Sequence, residues 1–248
     1  MRRYNAVLFD LCGTVLQYRI DRMPMIEING EQVQTTTPLL YACFQEFDRG
    51  ETSYEKFHAD FITISEEIVA EKIASGKEIL SFERFGRFLD RLGADLGKRL
   101  PAIHRLLMDI HLERVARCLE LLPNHRALLL AWKEAYPLGL ITIFDDRKTV
   151  RQVLARDQIA HLFETTQISA ELGIRKPQQE IFQAAFDAMQ CTPAETLFVG
   201  DNWTEDILGA KAAGMETAWI NTERLPQPQG AVRSDYDLSD LEELQRIL

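Results

Sequence analysis

The strongest constraint on the fold is a regular alternation, in the second half of the chain, of short apolar runs with helical patterns. The apolar runs are LGLITIF (138–144), FETTQIS (163–169), ETLFVGD (195–201) and TAWI (217–220). Such alternation is typical of βα units, which build a parallel sheet with helices on both faces. Residues 5–9 are also apolar and form the first strand of this sheet. We therefore predict an α/β fold with a doubly wound parallel sheet, whose last helices span 204–214 and 238–248.

The stretch between the first strand and the others is a helical insertion. The predicted helices span 37–50, 52–76, 81–97 and 101–122. Thr52 and Glu55 have the spacing of a capping box at the start of the second helix. The third helix carries one apolar stripe, formed by Phe82, Phe85, Phe88, Leu89 and Leu92. We place the α/β core at 1–16 and 122–248 and the insertion at 17–121.

A β-hairpin is predicted at 25–35, before the first of these helices. Two alternating arms flank Asn29-Gly30 in MIEINGEQVQ, and this residue pair favours a two-residue type I′ turn. Two roles remain open for the hairpin, a surface ribbon or a flap near the functional site.

Composition excludes several function classes. The chain of 248 residues has a formal net charge of −10, so a broad basic face for nucleic acid is not expected. The four cysteines are scattered and indicate reduced thiols; they are Cys12, Cys43, Cys118 and Cys191. No apolar run approaches the ~20 residues that span a bilayer, and the first residues lack the apolar segment of a signal peptide. We expect a cytoplasmic protein, monomeric or homodimeric, that binds neither nucleic acid nor membrane.

Polar residues stand at or near the ends of several strands. Asp10 follows the first strand, Thr142 lies in the second and Asp201 ends LFVGD. Because parallel strands end at one edge of the sheet, these groups can converge there. Lys176, just before a helix, is expected to join them.

Phosphoryl transfer is the chemistry that these residue types favour. Asp10 and Asp201, with a backbone carbonyl, offer the oxygen ligands that Mg²⁺ prefers. Lys176 would hold Asp10 and an incoming phosphate together, and the Thr142 hydroxyl would donate to a phosphate oxygen. The sequence thus predicts a small phosphorylated metabolite as the ligand.

Four segments resemble the signature motifs of the haloacid dehalogenase-like (HAD) hydrolase superfamily, in its phosphatase-like members with a helical cap. They are FDLCGTV, LITIF, ELGIRKPQQEIF and FVGDNWTEDILGAKAAGM. The resemblance implies that Asp10 is the nucleophile that forms an aspartyl-phosphate, that Thr142 binds the transferred group and that Lys176 orients it. It also implies that Asp201 and Asp206 anchor Mg²⁺, with Glu205 the weaker partner, and that residues 17–121 form a cap that closes over the site.

Two positions depart from the family pattern. Cys12 stands where the related phosphatases carry a second aspartate, the general acid and base. Its backbone carbonyl can still bind the metal, but a thiol with an ordinary pKa of ~8.5 is a poor proton donor. Cys12 is thus a candidate catalytic position at which the side chain is a small buried filler or has a redox or nucleophilic role. Ile143 replaces a residue that is often polar. We expect a Mg²⁺-dependent phosphatase that is slow or selective for good leaving groups.

Alternative functions follow from the missing aspartate. Haloacid dehalogenases lack it too, but they usually also lose the acid at position 201. Phosphonoacetaldehyde hydrolases lack it, keep the metal and add a lysine that forms a Schiff base. The candidate lysines are Lys56, Lys72, Lys77 and Lys98. A degenerate member that binds a phosphorylated ligand without turnover is the remaining alternative.

Overall fold

The chain divides into two compact units in a computed structural model, which describes residues 3–28, 30–48 and 52–248. One unit, here called the core unit, comprises Met1–Tyr18 and Glu120–Leu248, and the other, the helical unit, comprises Arg19–Leu119. Within the described ranges, no helix is long and apolar enough to cross a membrane.

The core unit contains a six-stranded parallel sheet. Its strands lie in the order β10-β9-β8-β1-β6-β7, and every described neighbouring pair is parallel. The strands are β1 (Ala6–Phe9), β6 (Leu138–Thr142), β7 (Thr165–Ile168), β8 (Thr196–Gly200), β9 (Glu216–Ile220) and β10 (Tyr236–Leu238). This arrangement confirms the predicted α/β fold.

The central strand β1 fixes where ligands can bind. All four of its residues are buried, as expected for a strand with neighbours on both sides. Phe9 aligns with Leu140 of β6 and with Val199 of β8. Successive strands go to one side of β1 and then to the other, so the sheet has its topological switch point here. Ligands of open α/β sheets bind at the carboxyl ends of the strands beside such a point.

Helices cover the sheet of the core unit. They are α5 (Pro123–Lys133), α6 (Arg147–Arg156), α7 (Ser169–Leu172), α8 (Gln179–Met189) and α9 (Gly209–Ala212). Helix α8 packs Phe182 and Phe186 onto Leu8 and Phe198 of the sheet. At about 25 cal/mol per Å² of apolar area, burying one such side chain contributes roughly 1.5–3 kcal/mol. This layer anchors β1 and β8, which carry the candidate site residues.

The end of the core unit differs from the prediction. In place of a helix over 238–248, the chain forms strand β10 and then a 3₁₀ turn over Leu241–Arg246. Strand β10 adds to the edge of the sheet, pairing Leu238 with Ile220. With three residues, it is too short to show a strand pattern in the sequence. Asp240 caps the 3₁₀ turn by accepting from Glu242 N at 2.7 Å.

The described residues of the helical unit form four α-helices and one hairpin. The helices are α1 (Thr37–Asp48), α2 (Tyr54–Ser75), α3 (Ser81–Leu92) and α4 (Leu100–Cys118), and the hairpin pairs β3 (Met25–Ile28) with β4 (Glu31–Gln34). Two short strands lie where the chain passes from one unit to the other. They are β2 (Gln17–Tyr18), which belongs to the core unit, and β5 (Leu119–Glu120), which spans the boundary. The predicted hairpin is confirmed, with Gly30 at φ +82°; Asn29, like the predicted helix end at Gly50, lies outside the described residues.

Three details of the helices correct the prediction. Ser53, not Thr52, caps α2, because the Ser53 hydroxyl accepts from Lys56 N at 3.3 Å. Helix α4 ends at Cys118, and the chain is extended before Pro123 begins α5. Phe82 is 59% exposed, whereas the other four stripe residues are buried. At 100° per residue Phe82 lies at the margin of the stripe, and its ring centroid lies 4.2 Å from that of His104 in α4.

Candidate active site

Three strand ends bring the predicted site residues to one edge of the sheet. Asp10 directly follows β1 and donates its backbone N–H to the Val199 carbonyl of β8 at 2.9 Å. Thr142 is the last residue of β6, and Asp201 follows β8. Asp10 and Thr142 are almost fully buried, and Asp201 is half-buried.

Lys176 is the buried cation of this site. Its Nζ donates to Asp10 Oδ1 at 2.6 Å and to the Ile141 carbonyl at 3.0 Å, and it lies 2.6 Å from Asp206 Oδ1. The ammonium also lies 5.4 Å from the ring centroid of Phe198. Burial alone would lower the pKa of Lys176, but the two carboxylates outweigh it and raise the pKa above its usual value. Lys176 is therefore a fixed positive charge beside Asp10.

Asp206, not Glu205, joins the carboxylates. Asp206 is buried and accepts from Asn202 N at 2.9 Å. A Cβ on Gly200 would lie 2.4 Å from Asp206 Oδ2, so glycine at that position permits this approach. Glu205 instead pairs with Arg175 at 2.6 Å. Burial raises the pKa of Glu205, and Arg175 opposes the shift.

The predicted helix over 204–214 begins with a wide turn that sets these positions. Residues Trp203–Leu208 form a π-type turn, and helix α9 follows. The Asn202 carbonyl accepts from both Asp206 N and Ile207 N, at 2.9 and 3.3 Å. The Asn202 side chain accepts from the backbone N–H groups of Thr204 and Glu205. Single π-type turns of this kind are frequent at functional sites.

The carboxylates fit a divalent cation. Oxygen atoms of Asp10, Asp201 and Asp206 lie within 4.8 Å of one another. When ionised, three carboxylates and Lys176 sum to −3 + 1 = −2, the charge that one divalent cation balances. Asp10 Oδ2 is buried without a hydrogen-bond partner among the described residues, which is costly unless another group binds it. An all-oxygen donor set suits Mg²⁺.

Burial and mutual repulsion perturb the carboxyl groups. Burial raises the pKa of Asp10 to about 8, with Asp206 and Asp201 adding to the shift and Lys176 opposing it. Burial likewise raises the pKa of Asp201 to about 6, with repulsion from Asp206 as the next cause. Strongly perturbed carboxyl groups in a cluster mark functional sites.

Cys12 lies beside the carboxylates but cannot replace an aspartate. Its side chain is half-buried, and its thiol is free. Burial, and next the charge of Asp10, raise the pKa of the Cys12 thiol well above its usual value. The thiol therefore stays protonated at neutral pH, and S–H is a weak hydrogen-bond donor.

Sequence reasoning missed several residues that position Asp201. Gly13 has φ +95°, and a Cβ there would lie 2.3 Å from Asp201 Oδ2. The Thr14 hydroxyl donates to Asp201 Oδ1 at 3.4 Å, and the Trp219 indole N–H donates to the Asp201 carbonyl at 2.8 Å. Gly13 and Thr14 follow Asp10 closely in the sequence, and this proximity could have indicated their place in the site. The sequence gives no such indication for Trp219, because an indole in a strand is ordinarily a core residue.

Comparison with known proteins points to one family. The profile of the haloacid dehalogenase-like hydrolases matches residues 4–214. Pyrimidine 5'-nucleotidase YjjG of Escherichia coli (strain K12) is 32% identical over 171 residues, which are 68% of this chain and 71% of that protein. Glyceraldehyde 3-phosphate phosphatase of Pyrococcus furiosus is 33% identical over 125 residues, which are 50% of this chain and 52% of that protein.

Solved structures share the fold. The HAD-hydrolase YfnB from Bacillus subtilis, bound to magnesium, superimposes with a TM-score of 0.67 at 22% identity, covering 100% of this chain and 99% of that one. A 2-haloacid dehalogenase from Pseudomonas syringae pv. Tomato DC3000 has a TM-score of 0.71 at 19% identity, covering 98% and 97%. These structures agree with the fold, and the carboxylate cluster lies at its switch point. The family match over residues 4–214 shows that the chain belongs to the haloacid dehalogenase-like hydrolases.

Proposed function

We propose that the protein is a Mg²⁺-dependent hydrolase of a small phosphomonoester, acting through an aspartyl-phosphate on Asp10. The observation that carries this proposal is the position of Lys176, within 2.6 Å of both Asp10 and Asp206. A fixed cation between a strand-end carboxylate and two further acids suits an anionic substrate in an otherwise acidic site. The nucleotidase and phosphatase names of the relatives agree with phosphomonoester hydrolysis.

In the first half-reaction, an Asp10 carboxylate oxygen attacks phosphorus. The bond between phosphorus and the leaving oxygen breaks, and its electron pair departs with the leaving group. Lys176 opposes the rise in the pKa of Asp10, which favours the carboxylate, and it offers positive charge to the phosphoryl oxygens. The Thr142 hydroxyl, at the end of β6, would donate to one of those oxygens.

The same residues would hold the metal. Asp10, Asp201 and Asp206, with the Cys12 backbone carbonyl, supply oxygen ligands. Bound Mg²⁺ would neutralise the phosphoryl oxygens and help to orient the substrate. Lys176 holds Asp10 and Asp206 in place, and the missing Cβ atoms of Gly13 and Gly200 leave room for Asp201 and Asp206.

The second half-reaction transfers the phosphoryl group to water and regenerates the Asp10 carboxylate. In this chain the usual proton donor and acceptor is missing, because Cys12 carries a high-pKa thiol. Positioned acid–base catalysis is typically worth ~10²–10⁴-fold. We therefore propose slow turnover and a preference for leaving groups that depart without a proton, such as phenolates.

Two of the lysines considered for a Schiff base are engaged in ion pairs. Lys72 is buried and paired with Glu78 at 2.7 Å, and Lys56 pairs with Asp60 at 2.6 Å. To form a Schiff base, each amine would first have to leave its carboxylate partner. For these two lysines, the ion pairs favour phosphomonoester hydrolysis over phosphonoacetaldehyde hydrolysis.

The test is hydrolysis of 4-nitrophenyl phosphate with Mg²⁺ and with chelator. We expect metal-dependent release of nitrophenol. Asp10→Asn should lose more than about 95% of turnover, because an amide cannot replace a covalent nucleophile. The exposed control Asp187→Asn should keep the wild-type turnover. Metal-independent halide release from a 2-haloacid would favour dehalogenation instead. Binding of phosphate esters without any turnover would show a degenerate member.

A further inference from the structure

An open cleft of about 500 Å³ lies beside Asp201 in the core unit. Gly13 and Asp201 form its inner end, so the cleft adjoins the carboxylate cluster. The remaining lining comes mainly from Gln17, Tyr18, Trp219, Asn221, Glu223 and Leu225. A space of this size accommodates a ring or a short chain, and small-molecule sites fall in the same range.

The cleft has an apolar wall that is partly exposed. Leu225 is 52% exposed and Tyr18 is 43% exposed, and both line the cleft together with the buried Trp219 and Ile220. Exposed large apolar side chains that cluster beside a polar site often mark a ligand surface. An apolar or flat group placed here would remove this surface from water.

The loop that carries Leu225 is fixed in place. The Asn221 side chain donates to the Leu225 carbonyl at 2.8 Å and to Asp237 at 3.0 Å. Its carbonyl oxygen accepts from Leu225 N at 2.9 Å. Asn221 also donates its backbone N–H to the Leu238 carbonyl of β10 at 2.6 Å. The wall is therefore preorganised, which lowers the entropy lost when a ligand binds.

The charged side chains that line the cleft carry one sign. Among the described residues the acids of the lining are Asp201 and Glu223, and no lysine, arginine or histidine lines the cleft. Glu223 is exposed. With Asp201 balanced by Mg²⁺, a second anionic group on a substrate would meet Glu223, an acid that no cation of the described lining balances. The cleft thus differs from the other side of Asp10, where Lys176 supplies a positive charge.

We propose that this cleft receives the leaving group of the phosphomonoester and selects uncharged, flat or apolar leaving groups over anionic ones, with Glu223 as a specificity-determining residue. This inference rests on the proposed phosphatase function. Trp219 connects the two sites, because it lines the cleft and its indole N–H holds the Asp201 carbonyl at 2.8 Å. A substrate with its phosphoryl group at Asp10 then extends past Asp201 into the cleft.

The experiment compares two aryl phosphates that differ by one carboxylate group, phenyl phosphate and 4-carboxyphenyl phosphate, with Mg²⁺ present. For each protein we take the ratio of kcat/KM for 4-carboxyphenyl phosphate to kcat/KM for phenyl phosphate. Because each protein is measured on both esters, their intrinsic reactivities cancel when proteins are compared. We expect Glu223→Lys to raise this ratio about ten-fold at low salt and less at high salt, as reversal of an exposed charge near the ligand predicts.

A matched control reverses a distant charge. Glu134 is exposed and follows α5, at the amino-terminal edge of the sheet, opposite the strand ends that carry the site. Glu134→Lys has the same effect on net charge, so its ratio should stay at the wild-type value. An equal rise in both variants, or no rise in Glu223→Lys, would overturn the leaving-group assignment while leaving the phosphatase proposal intact.

Failure of the phosphatase proposal gives a different result. If neither ester is hydrolysed with Mg²⁺, calorimetry with phenylphosphonate and 4-carboxyphenylphosphonate tests the cleft by binding alone. Tighter binding of phenylphosphonate than of 4-carboxyphenylphosphonate, with the difference lost in Glu223→Lys, would support selection by the cleft in a protein without turnover. Equal binding of both phosphonates would overturn it.

Discussion

Replacement of Lys176 by methionine should destabilise the core unit strongly and in a pH-dependent way. The ammonium is 1% exposed and contacts Asp10, the Ile141 carbonyl and Asp206. Methionine fills a similar volume but leaves the buried carboxylates without their cation. Removing one partner of a buried pair costs about 3–5 kcal/mol. At roughly 2–4 °C per kcal/mol for a unit of this size, the Tm should fall by about 6–20 °C.

The pH dependence has a definite sign. Burial already raises the pKa of Asp10 to about 8, and loss of Lys176 would raise that pKa further, because Lys176 is the main opposing charge. A raised carboxyl pKa means that the folded state binds more protons than the unfolded state between the two pKa values. Relative to the wild type, the loss of stability in Lys176→Met should therefore grow as pH rises above about 8, where Asp10 ionises in the folded wild type but stays protonated in the variant. Below that pH the loss should be smaller.

Tryptophan fluorescence reports this transition selectively. The chain has three tryptophans, Trp132, Trp203 and Trp219, and all lie in the core unit. The control Lys211→Met removes a half-exposed pair with Asp235, which is worth about 0–1 kcal/mol. Both variants are melted in chelator over a pH series. Equal destabilisation of the two variants, or a loss in Lys176→Met that does not vary with pH, would refute the electrostatic account of the site.

Three further predictions concern other residues. Cys12→Asp should raise turnover of alkyl phosphates about ten-fold or more, since it restores a proton donor; a variant that folds and binds Mg²⁺ without any gain would contradict that role. Gly13→Ala should weaken Mg²⁺ binding, measured by calorimetry, because its Cβ would displace Asp201, whereas Gly173→Ala, at a similar φ of +73° with open space around it, should not. Burial lowers the pKa of His58, so the unfolded state binds the extra proton and stability should fall as pH drops below about 6.5. Circular dichroism melts of His58→Gln should show a weaker dependence on pH there, and an unchanged dependence would exclude His58 as its source.

The sequence predicted the sheet because its signals are local. Strands β1, β6 and β8 are short apolar runs, and each ends close to a polar residue with a proposed chemical role. The carboxyl ends of parallel strands must share an edge, so the convergence of Asp10 and Asp201 followed from the fold class alone. Strand β10 was missed because three residues at an edge carry too little pattern.

The finer geometry of the site depends on contacts that no local pattern reveals. The preference for Asp206 over Glu205 came from a resemblance, and its physical cause is the π-type turn that follows Asn202. The bond from Trp219 to the Asp201 carbonyl joins two neighbouring strands, so no spacing along the chain indicates it. The role of the inserted helices as a cap remains a prediction.

Chemical trapping of the intermediate tests the central claim most directly. The protein is mixed with 4-nitrophenyl phosphate and Mg²⁺, quenched rapidly in acid and reduced with borohydride, which converts an aspartyl-phosphate to homoserine. Peptide mass spectrometry then locates the change. We predict homoserine at position 10, dependent on both substrate and Mg²⁺ and missing in Asp10→Asn. Turnover without homoserine at position 10, or a phosphorylated residue elsewhere such as Cys12, would contradict the assignment of Asp10 as the nucleophile.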